Sequence, residues 1–293
     1  MRQISRRLIM TKHRSPNHLG SSFTSKLFMS LVMAFIILIS IFPILWVISS
    51  AFKTNAQILN SPFSLPTAIS FEPFVYLFNS YNFHIYFFNS AVIAVSSTLV
   101  SLVIYAMGAY VLAKFEFPGR SLLFALFTIT LLVPGQAKAQ PLFTLVMKLK
   151  LYDNIWGLSL IYISFGLAMS MFILRAAFMS IPTALDESAR IEGASFIQIF
   201  RHINFPLAKS GLSTAGVLMF LNNWNEYFYA SLLTSSDRSR TLPLALQFFT
   251  EAFSYDYTKL FAALTVVVLP GIIIYILAQE QVQASFASSG VKG

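Results

Sequence analysis

Asn222, Asn223, Trp224, Asn225, Glu226 and Tyr227 place three amides, a carboxylate and two aromatic rings inside one otherwise apolar stretch. A carboxylate at mid-membrane depth costs roughly 2.5 to 3.5 kcal/mol on insertion scales, so such a cluster must face water or a partner. Amides and a carboxylate beside Trp224, Tyr227 and Tyr229 suit the hydroxyls and ring faces of a sugar. A polar lock between packed helices accounts for the same residues, and the sequence leaves both readings open.

The second informative stretch is IPTALDESARIEGASFIQIFRHINFPLAKSG, residues 181–211. Pro182 suits a helix start, where its missing N–H costs nothing, and Thr183 to Glu192 then reads as helix. Gly193 can take the left-handed conformation that ends it, and Ser195 with Gln198 makes a capping box that opens another. In that second helix Phe196, Ile199, Phe200 and Ile203 recur on one face, and Pro206 is expected to end it. Ala184, Ser188, Ala189 and Gly193 keep the first helix open to close approach, with Asp186, Glu187 and Arg190 as a charged rim. This pattern fits a plug for a groove in another protein, or a solvated connecting helix.

Several chemistries are missing. No GxxxxGK[ST] loop occurs, and Gly is never followed by Lys, so the chain lacks the usual cradle for ATP. The histidines at 13, 18, 84 and 202 are scattered, with no pair at metal-binding spacing. There is no cysteine, which excludes thiolate metal sites and a Cys nucleophile. Ser213 in GLSTAG lacks the glycine two residues on that a nucleophile elbow needs.

The elements that must position these residues follow from composition. The chain has 293 residues, 56% hydrophobic and 11% charged, with a mean hydropathy of +0.70; soluble domains carry about 25% charged residues. The charge deficit calls for a membrane. The net charge of +9 is spread between apolar runs and does not form the basic stripe of a nucleic-acid surface. Uncharged runs at 27–52, 85–113, 121–137, 154–174, 210–236 (interrupted by Glu226) and 260–279 predict six transmembrane helices, the third broken near Pro134 and Gly135.

Six spans put both termini on one side. Arg2, Arg6, Arg7, Lys12, Arg14 and Lys26, with no acid among them, assign that side to the cytoplasm, although Lys138, Lys148 and Lys150 then lie outside. The first run is too long for a secretory signal and reads as a retained anchor. The expected organisation is a basic cytoplasmic tail (1–26), a first span (27–52), an external loop (53–84), a core (85–280) holding the 181–211 loop, and a cytoplasmic tail (281–293). Phe71, Phe74, Tyr76, Phe78, Tyr81 and Phe83 in the external loop form either an interfacial belt or a small external subdomain. In the second span Ser90, Ala91, Ala94, Ser96, Ser97, Ser101, Ala106, Gly108 and Ala109 permit close helix packing.

The 181–211 loop is recognisable. ESARIEGA followed by IFRHINFPLAKSG resembles the EAA loop of ABC-importer permeases: a glutamate, two small residues, three residues and a glycine, with a proline further on. Ser188 stands for the first alanine, Glu192 for the usual aspartate, and Ser210 where the sugar group often has proline. NSAVIAVSSTLVS with AYVLAKFEFPGR, LLVPGQAKAQPLF, NNWNEYFYASLL and the terminal GVKG extend the resemblance to the carbohydrate branch, in the subunit resembling the maltose-type second permease.

The resemblance implies an all-α membrane protein with six transmembrane helices, a type I ABC-importer permease fold and cytoplasmic EAA coupling helices. It implies a multi-pass protein of a bacterial or archaeal cell membrane that is not an enzyme. The implied partners are a second permease subunit as heterodimer, an ATPase dimer that binds the ATP so that this chain needs no cofactor, an extracellular solute-binding protein, a sugar and membrane lipid. Asp186, Glu187, Ser188, Ala189, Arg190 and Gly193 are its implied ATPase-coupling residues. A secondary transporter driven by an ion gradient is the competing class, but the sequence offers neither internal repeats nor ionisable residues inside several spans.

Overall fold

A computed structural model describes residues 23–250 and 256–290. The basic residues from Arg2 to Arg14 and the last three residues of GVKG lie outside them. Sixteen α-helices occur among the described residues. They are α1 Phe23–Ser50, α2 Asn55–Asn60, α3 Glu72–Ser80, α4 Phe83–Lys114, α5 Arg120–Ile129, α6 Ala139–Lys148, α7 Ile155–Ile163 and α8 Leu167–Met179, followed by α9 Thr183–Ile191, α10 Phe196–Ile199, α11 Phe205–Leu207, α12 Lys209–Trp224, α13 Phe228–Leu233, α14 Leu242–Ala245, α15 Gln247–Thr250 and α16 Tyr257–Gly290. Two compact units divide the chain, Met1–Val47 and Ile48–Gly293.

The first unit contains most of α1, a 28-residue helix with Pro43 inside it. Its sequence is hydrophobic all round, which suits lipid and not a soluble surface.

In the second unit α4 is the central rod. Its 32 residues span about 48 Å at 1.5 Å per residue. The small residues foreseen for close packing do that work: Ser90, Ala94, Ser97, Ser101, Ala106 and Ala109 are buried. α8, α12 and α7 pack along α4. Toward the Lys114 end, Tyr105, Tyr110, Met171, Leu174, Phe178, Leu212 and Met219 form one apolar core, and toward the other end Ile93, Leu158, Ile161, Tyr162, Tyr229 and Leu233 form a second. Gly211 lets α12 touch α8, since a Cβ there would lie 2.4 Å from Ala177 Cβ.

The predicted spans differ in kind. By length and composition α1, α4 and the Tyr257–Glu280 part of α16 are each long and apolar enough to cross a membrane. Two helix pairs pass the same test only together and are bent: Arg120–Leu132 with Gly135–Lys148 at 104°, and Ile155–Ile163 with Leu167–Met179 at 52°. The break foreseen at Pro134 and Gly135 is the first of these. The second comes at 164–166, where Gly166 sits at φ +73°, and α8 then runs past the expected end at 174 to include Arg175. The predicted fifth span is the 16-residue α12, broken at 225–227 before α13. Residues 281–290, expected as a tail, continue α16 as helix.

Beyond the Phe83 end of α4, α2 and α3 pack on α16. Phe52, Phe71 and Phe74 make one ring cluster, and Tyr76, Tyr81, Phe83, Tyr86, Phe248 and Phe249 make another. Phe83 is fully buried. Of the six aromatic residues of this loop, Phe74 and Tyr81 are half-buried and Phe71, Tyr76 and Phe78 are exposed.

At the Lys114 end the 181–211 loop folds as two helices about Gly193, which adopts φ +87°. Nothing lies within 4 Å of a Cβ built there, so the conformation and not space requires glycine. The capping box is present: Ser195 Oγ accepts from Gln198 N at 3.4 Å, and Gln198 Oε1 accepts from Ser195 N at 2.7 Å. The expected stop at Pro206 does not occur. The chain widens into a π turn over Phe200–Asn204 and continues directly into α11, with Pro206 at its second position.

Candidate functional site

α12 and α13 are separated by a break at Asn225 to Tyr227, and the break positions Glu226. The first N–H groups of a helix have no partner within it. Glu226 supplies one, its Oε1 accepting from Tyr229 N at 2.8 Å and its Oε2 from Ala230 N at 3.1 Å. Oε2 also accepts from the Tyr162 hydroxyl at 2.5 Å. Tyr162 is 1% exposed, so the carboxylate pins the α12 to α13 break against α7.

Two α7 carbonyls, one at the second break and one a turn before it, are met from α4. Ser101 Oγ donates to Ile163 O at 3.0 Å, Tyr105 OH donates to the same oxygen, and Ser97 Oγ donates to Ser159 O at 3.2 Å. Hydroxyls and a carboxylate thus satisfy the backbone groups of both breaks inside the bundle.

A cavity of about 580 Å³ lies at these breaks. Its wall includes Gln136 and Lys138 from the α5 to α6 bend, Ser164 and Phe165 from the α7 to α8 break, and Asn222, Glu226, Phe228 and Tyr229. Lys138 Nζ stands 6.0 Å from the centre of the Phe165 ring. The surface combines aromatic faces with an amide pair, a hydroxyl, a cation and a carboxylate. That chemistry is suited to a polyhydroxylated ligand.

The six candidate residues of this stretch separate. Asn222 and Glu226 line the cavity. Asn223 is buried and donates from Nδ2 to Thr98 Oγ1 at 3.3 Å, while its Oδ1 has no hydrogen-bond partner. Trp224 is buried and donates from Nε1 to Val267 O at 2.9 Å, joining α12 to α16. Asn225 donates to Leu221 O at 2.8 Å and closes the end of its own helix. Tyr227 is exposed. Asn223, Trp224 and Asn225 thus act as structural bonds between or within helices, while Asn222 and Glu226 face the cavity and Glu226 also holds the α12 to α13 break. Sequence reasoning missed Tyr162, Lys138 and Phe165, which lie in two other spans. The lone intramembrane carboxylate was the signal that a hydroxyl donor had to exist nearby.

The coupling candidates also separate. Glu187, Ser188 and Arg190 are exposed on α9 and Ala189 is half-buried. Arg190 rests over the Phe115 ring at 5.5 Å. Asp186, expected on the charged rim, points inward instead and is 5% exposed. Its Oδ2 lies 3.2 Å from Lys114 Nζ, and its Oδ1 accepts from Asn204 Nδ2 at 2.6 Å. The correction has a simple cause. Asp186 lies on the α9 face that meets the C-terminus of α4, where a cation at 114 both favours the helix dipole and demands a counter-charge. Leu185 and Ile191 instead remain on the exposed side, at 42% and 87% exposure.

Residues 104–287, which include both sites, match the family described as the inner membrane component of binding-protein-dependent transport systems. The chain is 35% identical over 249 residues to the diacetylchitobiose uptake system permease protein NgcG of Streptomyces coelicolor, covering 84% of this chain and 82% of that one. It is 31% identical over 256 residues to the trehalose transport system permease protein SugB of Mycobacterium tuberculosis, covering 87% and 93%. Among solved structures, a chain of a bacterial ABC transporter involved in import of the acidic polysaccharide alginate superimposes with a TM-score of 0.79 at 24% identity, covering 91% of this chain and 99% of that one. The broken spans, the intramembrane cavity and the sequence likeness agree, and the chain belongs to the family of binding-protein-dependent transport system inner membrane components, a family of permeases and not of enzymes.

Proposed function

We propose that this permease is one of two transmembrane subunits of an ATP-driven sugar importer, and that α9 is the helix an ATPase subunit grips. The importer would comprise this chain, a second permease, an ATPase dimer that binds the ATP, and an extracellular solute-binding protein that delivers the sugar. Both termini and the α9 end would be cytoplasmic, and the α2 and α3 subdomain external. This chain itself needs no cofactor.

The observation that carries the coupling role is the surface of α9, where Glu187 and Ser188 stand exposed on a short helix aimed by the left-handed Gly193. Exposed Leu185 and Ile191 on the same helix offer apolar area to a groove. The sugar reading is supported by the aromatic and hydrogen-bonding wall of the cavity and by the names of the relatives, which are uptake systems for diacetylchitobiose and trehalose.

The test replaces Glu187 by Lys and Gly193 by Asp in the assembled importer. Both variants should insert in the membrane yet abolish uptake, with the ATPase released or no longer stimulated by substrate. Gln198→Ala loses only one reciprocal cap bond, about 1 kcal/mol, and should transport nearly normally. Full substrate-stimulated hydrolysis and uptake in Glu187→Lys would remove α9 as the coupling element.

A further inference from the structure

α9 has one buried side chain, and it is a charged one, Asp186. The Lys114 and Asp186 side chains are 3% and 8% exposed, with Nζ and Oδ2 3.2 Å apart. Lys114 Nζ also donates to Ile181 O at 2.7 Å, at the connection between α8 and α9. Asn204 Nδ2 donates to Asp186 Oδ1 at 2.6 Å, and Asn204 is fully buried within the π turn. One ion pair thereby ties together the end of α4, the α8 to α9 connection, α9 and the π turn. An apolar side chain would have anchored α9 without the desolvation that two buried charges incur. What the pair adds is a link fixed in distance and direction, because both carboxylate oxygens are engaged and the ammonium is held on two sides.

α4 reaches the cavity level from this link. Its Ser97, Ser101 and Tyr105 hydroxyls hold the Ser159 and Ile163 carbonyls of α7, next to Tyr162, which holds Glu226. The joint at one end of α4 and the opened backbone beside the cavity are thus attached to a single continuous helix.

We propose that the Lys114 and Asp186 pair, braced by Asn204, is the joint that passes movement of α9 into α4, so that Asp186 works inward while Glu187 faces the ATPase. The proposal rests on the reading of α9 as the ATPase-gripped helix. All three residues are positioning residues, with no contact to cargo or nucleotide.

The test uses the complete importer with its ATPase and binding protein in proteoliposomes. Asp186→Asn and Lys114→Met should keep the ATPase bound and its basal hydrolysis intact, and should lower the sugar moved per ATP on the order of ten-fold, within the range of allosteric couplings. The exchange Lys114→Asp with Asp186→Lys should recover part of that ratio. A purely structural role would lower hydrolysis and uptake together and leave their ratio unchanged.

A second measurement requires no disruption of the pair. The chain has no cysteine, so spin labels at Thr183→Cys on α9 and Met107→Cys on α4, both exposed positions, report their separation alone. It should stay constant between nucleotide-free and ATP-bound states, and should change with nucleotide in Asp186→Asn. Normal transport per ATP in Asp186→Asn, or a label separation that shifts with ATP in the otherwise native chain, would overturn the joint. Release of the ATPase by Asp186→Asn would overturn it too, by showing that Asp186 faces the ATPase. Failure of the underlying reading looks different, because Glu187→Lys would then leave stimulated hydrolysis and uptake intact.

Discussion

Replacing Glu226 by alanine removes three hydrogen bonds to one carboxylate, from Tyr162 OH, Tyr229 N and Ala230 N. Bonds to charged groups are each worth about 1.5 to 3 kcal/mol, so their loss costs at least about 4.5 kcal/mol if they act independently. Leaving the buried Tyr162 hydroxyl without its acceptor adds about 1 to 3 kcal/mol. Against this, alanine relieves the roughly 2.5 to 3.5 kcal/mol penalty of holding a carboxylate within the membrane. With the lowest figure of each range the balance is a loss of about 3 kcal/mol, or roughly 150-fold in the equilibrium that opens the α12 to α13 break.

Glu226→Gln retains the shape and one neutral acceptor and should lose about half as much. Tyr162→Phe deletes one bond to the carboxylate and strands nothing, so it should cost about 1.5 to 3 kcal/mol. The local readout is hydrogen exchange of the Tyr229 and Ala230 amides in the purified importer. Their protection should fall on the order of 100-fold in Glu226→Ala. The Glu226→Gln and Tyr162→Phe pair should show a positive coupling energy in a double-mutant cycle. If the two amides keep full protection in Glu226→Ala while uptake is lost, the carboxylate serves the cargo and does not hold the span. If both protection and uptake are unchanged, it does neither.

Orientation is open to thiol labelling: on intact cells Asn60→Cys, exposed on α2, should react with an impermeant maleimide and Ser180→Cys should not, and the reverse pattern would invert the topology. Gly211→Ala should lower the thermal midpoint, because overpacking against Ala177 at 2.4 Å costs about 1 to 3 kcal/mol, against about 1 kcal/mol gained in helix propensity; a raised midpoint would show that α8 and α12 do not touch there. Asp153 supplies a pH dependence. Burial pushes its carboxyl up, but donors from Ser236, Ser239 and Ser235 outweigh that and hold it well below the usual carboxylate range. Its folded pKa is thus below its unfolded one, so its stabilisation is complete above about pH 5, begins to fall near pH 4 and is lost progressively as pH drops toward the folded pKa. The midpoint difference between the native chain and Asp153→Asn should shrink on acidification; a difference that grew would refute the sign.

The amino-acid sequence by itself determined the solvent and the local structure. With 11% charged residues the chain has too little polar surface for water, and long uncharged runs fix where α1, α4 and α16 lie, since span length follows from bilayer thickness. The Pro134 break, the left-handed Gly193 and the Ser195 and Gln198 capping box were legible for the same kind of reason: each is settled by residues within one or two turns. The sequence also marked Glu226 as a buried charge needing partners.

Only the tertiary structure decided who those partners are, because they are distant in the chain. Tyr162 lies 64 residues from Glu226, and Lys114 lies 72 positions before Asp186 along the sequence. Nothing in a helical repeat distinguishes an acid that faces a partner protein from one that faces a lysine on a neighbouring helix. Adjacent Asp186 and Glu187 read alike in the sequence. A turn of 100° per residue places one in the core and the other on the surface, and which is which depends on where α9 docks against α4.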